Sequence, residues 1–165
     1  MTQTRRTWWD LRGWPAAAAF IAAVFLAAGA GQWLAGEPGQ WYRLLRKPFF
    51  TPPGWLFGPV WTVLYVCMGV AAWLVWRRDA RRGRGVALAA FFVQLALNAA
   101  WPALFFGLRS PAIAFADIVA LWLAVVWTTW TFFRASRPAG WLMVPYLGWL
   151  SFAVALNLAI WRLNA

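Results

Sequence analysis

Histidine is absent from this sequence, and cysteine occurs once, at Cys67. An intrachain disulfide would need a second thiol, and a histidine-ligated zinc, copper or haem iron has no ligand here. Acids are nearly as scarce, four Asp and Glu against fifteen Lys and Arg, which leaves a net charge of +11. Charged residues make up 12% of the chain, against about 25% in soluble domains. In a soluble protein so basic a balance would suggest nucleic acid. These cations instead sit in short connections between apolar runs, where they read as topology and lipid-headgroup signals, so no nucleic-acid partner is expected.

Apolar residues are abundant, 64% of the 165 residues, and sixteen of them are tryptophan. Five apolar runs, at about 14–35, 55–76, 86–108, 111–133 and 141–161, are each long enough at about 1.5 Å per residue to cross a hydrocarbon core of about 30 Å. The fold class expected is an all-α integral membrane protein, a bundle of five transmembrane helices. Residues 1–13 form a basic tail and 14–165 a single membrane domain. The first run is too long for a signal peptide. No internal repeat of the transporter kind is visible. Only the connection 36–54 is long, so it alone can form a lid. Cations divide ten to five between the two ends of the bundle, which by the positive-inside rule places the N-terminus in the cytoplasm and the lid outside. A bacterial inner membrane is the default location. Alanine-rich faces on the first and third runs favour a homodimer.

The run 41–65, WYRLLRKPFFTPPGWLFGPVWTVLY, is the least generic part of the chain. It opens with Trp41 and Tyr42, passes a basic cluster at Arg43, Arg46 and Lys47, and meets Pro48, Pro52 and Pro53. Each proline fixes its own φ and extends the residue before it, which stiffens the segment outside any helix. Trp61, Tyr65 and Met68 then share one helical face. A rigid aromatic and basic loop feeding a membrane helix is suited to closing an apolar cavity from above.

Three further sets of residues stand out. Gln94, Asn98 and Trp101 fall on one face of the third run. A polar group in lipid must find a partner, so that face points inward, for helix packing or for a ligand. Asp117 is the acid deepest inside a run, with Arg109 within reach near the helix start; a structural role and a ligand or proton role both stand. Tyr146 and Trp149 project together just after Pro145. A cavity edged by Trp61, Trp101, Tyr146 and Trp149 suits a flat amphipathic molecule. A metal-free porphyrin fits that description: its rings stack on indoles, and its carboxylates can pair with Arg43, Arg46 or Lys47 at the mouth.

These motifs resemble the TspO/MBR family of tryptophan-rich sensory membrane proteins. Trp41-Tyr42, Lys47-Pro48, Pro52-Pro53-Gly54 and Trp61 match its first loop and second helix, LNAAWPALFFG its third helix, and Trp141, Pro145-Tyr146 and Trp149 its fifth. The resemblance implies that Asn98 and Trp101 line a ligand cavity and that Trp149 faces Trp61 across it. It also implies binding of protoporphyrin IX, with no cofactor required, and, in some members, light-dependent porphyrin breakdown in which the paired tryptophans matter. Members form homodimers, and some bacterial ones lie in the outer membrane. Vertebrate members end in a cholesterol motif with two tyrosines. Residues 156–162 read LNLAIWR here, which puts steroid recognition of that kind in doubt.

The residues expected to hold the ligand are thus Trp41, Tyr42, Pro52, Trp61, Tyr65, Asn98, Trp101, Tyr146 and Trp149. Two readings follow. One is a sensory or regulatory protein that binds tetrapyrroles and other flat hydrophobic ligands, extending to their transport. The other is a light- and oxygen-dependent porphyrin-degrading enzyme in which Trp61 and Trp149 are catalytic.

Overall fold

The computed structural model describes residues 13–37, 39–78 and 83–165. The basic tail expected at 1–13 lies almost wholly outside them, as do Arg81 and Arg82. Six α-helices follow in order: α1 Trp14–Ala35, α2 Gly39–Leu44, α3 Gly54–Trp76, α4 Arg84–Pro102, α5 Pro111–Ala135 and α6 Arg137–Asn164. A π-helical turn, Ala103–Gly107, extends α4. All but α2 are long and apolar enough to cross a membrane. Their outer faces carry large apolar side chains in the open, among them Trp33 at 82% and Leu26 at 73% exposure. Water does not tolerate so continuous a display; acyl chains do.

Local chemistry sets the helix ends. Pro15 and Pro111 stand in first turns, where a missing N–H costs nothing. Ser110 caps α5, its hydroxyl accepting from the Ile113 amide at 3.4 Å. Gly36 at φ 64° ends α1. Several boundaries differ from those the apolar runs suggest. The lid is not all loop, because α2 folds within it. The connection expected around 134–140 shrinks to Ser136, since α6 begins at Arg137 with its own proline near the start. Pro145 leaves α6 helical throughout, and Pro102 is followed by the π turn, in which the Leu108 amide bonds the Ala103 carbonyl at 2.8 Å.

Short connections make successive spans antiparallel. Their packing closes a ring in the order α1, α3, α6, α5, α4 and back to α1. Glycines permit the closest contacts. A Cβ on Gly69 would stand 2.8 Å from the Ile21 Cα, and one on Gly31 would strike the Ala99 carbonyl, so α1 lies backbone to backbone on α3 and α4. One large core fills the ring, with Phe91, Met68, Met143, Phe132 and Leu121 fully enclosed. A smaller core around Phe105 lies beneath the lid.

Candidate functional site

The amide and aromatic residues singled out in the sequence converge from three helices. On α3, Trp61 and Tyr65 are one turn apart, ring centroids 5.2 Å from each other, and half-buried. On α4, Asn98 is buried and bonds in both directions: its Nδ2 donates to the Tyr146 hydroxyl at 2.9 Å, and its Oδ1 accepts from the Tyr65 hydroxyl at 3.4 Å. On α6, Tyr146 is fully buried and lies edge-on to Trp61, centroids 6.1 Å apart. One amide therefore joins three spans, an arrangement a dry interior rewards because each polar group has a mate.

Trp149 is one turn along α6 from Tyr146 and packs edge-on to Phe57 of α3 at 5.8 Å. The pairs Trp61–Tyr146 and Phe57–Trp149 are successive rungs between antiparallel helices. Both tryptophans thus face the α3–α6 seam and the main core, not lipid. The buried Trp149 Nε1 has no hydrogen-bond partner among the described residues.

Trp101 belongs to the lid side. Its Nε1 donates to the Asn157 Oδ1 at 3.0 Å, while the Asn157 Nδ2 donates to the Pro111 carbonyl at 2.9 Å. Its ring stacks on Phe105, centroids 5.0 Å apart. Trp41 and Tyr42 of α2 lie edge-on to the same Phe105, at 5.8 and 6.3 Å. Trp101 packs against both cores and so couples lid to bundle. Pro52 is half-buried in the extended stretch before α3.

The mouth cations differ from one another. Arg43 and Arg46 are exposed, whereas the Lys47 ammonium lies 4.3 Å over the Tyr42 ring. Burial pushes the Tyr42 phenol above its ordinary value, so it stays neutral at neutral pH. At the lid's far end the Asn164 side chain grips the Arg46 backbone, accepting from its N–H and donating to its carbonyl, both at 2.9 Å. Asn164→Ala is expected to speed hydrogen exchange at the Arg46 amide by about tenfold, the worth of roughly one hydrogen bond. Unchanged exchange would show that the clamp does not hold the lid.

One sequence expectation is corrected. Arg109 does not pair with Asp117: it is exposed, and Oδ2 of the half-buried Asp117 has no partner among the described residues. Trp127 is 52% exposed and packs on Trp130, ring centroids 4.9 Å apart. Asn157, Asn164, Phe57 and Phe105 were not anticipated as parts of the site. The signal for Asn157 is present, an amide within the apolar part of α6 at the spacing that puts it on the buried side with Leu150.

The sequence model of the TspO/MBR family matches residues 19–162, which covers every residue of this site but Asn164. The chain belongs to the TspO/MBR family. Its relatives in that family span three domains of life. It is 45% identical to the tryptophan-rich protein TspO of Archaeoglobus fulgidus over 89% of this chain and 95% of that one. It is 41% identical to the tryptophan-rich sensory protein of Cereibacter sphaeroides, over 92% of each. It is 39% identical to the human translocator protein, over 92% of this chain and 91% of the other. Membership together with five spanning helices makes the chain an integral, multi-pass membrane protein.

Proposed function

We propose that this TspO/MBR protein binds a tetrapyrrole, protoporphyrin IX being the best fit, and acts as a membrane sensor or regulator of tetrapyrrole level. The observation that carries the proposal is the α3–α6 seam. Trp61, Tyr65 and Tyr146 gather there with Asn98, Trp149 packs one rung along, and its indole N–H has no mate among the described residues. Flat rings stack on such walls, and a bare buried N–H favours any ligand acceptor that reaches it. Exposed Arg43 and Arg46 at the lid match the carboxylates of a porphyrin edge. The printed names of two relatives, a tryptophan-rich sensory protein and a translocator protein, agree with a sensing or carrying role. Loop arginines favour a cytoplasmic N-terminus with the lid on the other side.

A second reading, light-driven porphyrin degradation, draws on the Trp61–Tyr65 and Trp61–Tyr146 contacts of 5.2 and 6.1 Å. Contiguous oxidisable rings beside an excited porphyrin can accept and pass on a radical. The double substitution Trp61→Phe with Trp149→Phe separates the two. Dark affinity is expected to weaken by no more than about tenfold, since the phenyl rings retain much of the stacking surface. Loss of porphyrin absorbance under light is expected to stop if the indoles carry turnover, and to continue at the rate of free porphyrin if the protein only binds. Loss of all dark binding in the wild type would remove both readings.

A further inference from the structure

Among the buried amides of the described residues, one is used by nothing in the site above. Gln94 lies one turn before Asn98 on the buried face of α4, fully enclosed, with Phe91 and Leu95 as its buried neighbours on that helix. Neither its Nε2 nor its Oε1 has a hydrogen-bond partner among the described residues. The other two buried amides, Asn98 and Asn157, are bonded at both ends. A bare amide in an apolar interior is destabilising, and an apolar side chain of the same shape would avoid that cost. It shares the buried face of α4 with Asn98, the amide that joins Tyr65 and Tyr146, and lies one turn nearer the start of that helix.

We propose that Gln94 is the polar floor of the ligand site, keeping an amide edge ready for a planar ligand group that presents a donor and an acceptor side by side. The proposal rests on the tetrapyrrole reading above. A primary amide carries an N–H and a carbonyl on one edge, and its complement is a neutral carboxylic acid or a lactam, each closing two hydrogen bonds at once. A carboxyl carried that deep would be protonated, because the interior disfavours the anion. Two sources supply this chemistry: the propionic acid of a porphyrin that enters acid edge first, a pose that replaces the mouth pairing with Arg43 and Arg46, and the terminal lactam of an opened tetrapyrrole.

The test uses the full-length protein in detergent, in the dark, as wild type, Gln94→Met and Gln94→Leu. Three probes separate the sources: protoporphyrin IX, with acids and no lactam; its dimethyl ester, with neither; and biliverdin dimethyl ester, with lactams and blocked acids. The expected result is an affinity about tenfold weaker in both variants for the acid probe, the lactam probe or both, and unchanged for protoporphyrin dimethyl ester. The ligand-free variants are expected to melt about 3 °C above wild type, since an unmet amide has been removed. Equal losses for all three probes, or none, would overturn the proposal. So would variants that melt lower or fail to fold, because Gln94 would then be structural. A wild type that binds none of the probes would overturn the tetrapyrrole reading instead. The melting comparison would then decide Gln94 alone, a rise supporting a site kept for some other ligand and a fall removing it.

Discussion

Gly31→Ala is expected to destabilise the bundle by about 3 kcal/mol, at the upper end of the cost of overpacking. The added methyl would strike the Ala99 carbonyl and stand 3.1 Å from the Ala99 Cα, so the obstacle is backbone, which cannot rotate away. The helices must separate, and α1 is held in the ring by α3, α4 and the turn that extends α4. Gly29→Ala is the matched control, because its Cβ would meet nothing within 4 Å. The alanine there should be neutral or stabilising by up to about 1 kcal/mol through helix propensity. Thermal melting of both variants in detergent decides the matter. If Gly31→Ala melts with Gly29→Ala, α1 does not pack as closely on α4 as described.

Asn98→Leu is expected to cost about 2 kcal/mol of stability and at least about tenfold in protoporphyrin affinity. The amide satisfies Tyr146, which is fully buried, and reaches Tyr65 on a third helix. Leucine leaves the Tyr146 hydroxyl without that donor and unties α3 from α6. Hydrogen bonds between membrane helices average only about 0.6 kcal/mol, because the separated helices find other partners. The larger figure applies here because the stranded phenol stays enclosed. Melting and dark titration of the same preparation measure the two effects. Normal stability with lost affinity would make Asn98 a ligand contact alone; lost stability with normal affinity would place the ligand elsewhere.

The spans and the inward faces were legible because both depend on one-dimensional pattern. Five apolar runs announce five helices, and a spacing of three or four residues puts Trp61 with Tyr65, Asn98 with Gln94, and Tyr146 with Trp149 on common faces. What pattern does not encode is the partner across the gap. Nothing in the sequence says that the Trp101 indole bonds Asn157, or that Arg109 does not pair with Asp117. Both depend on which helices become neighbours in the ring. The lid was read as stiff from its prolines, and residues 46–53 are indeed non-helical. The six-residue helix before them, Gly39–Leu44, is too short to show a period. It is held by Trp41 and Tyr42 packing on Phe105. The π turn after Pro102 escaped for a similar reason, since proline signals a break without saying how the chain continues.

The most direct test is a titration of the purified wild-type protein with protoporphyrin IX in the dark, followed by quenching of tryptophan emission. With Trp61 and Trp149 both on the α3–α6 seam, quenching should saturate at micromolar porphyrin with a defined stoichiometry, and the Trp61→Phe, Trp149→Phe protein should lose a distinct share of the signal. Emission that is unchanged, or that falls without saturating and equally in both proteins, would mean that no tetrapyrrole enters between those helices.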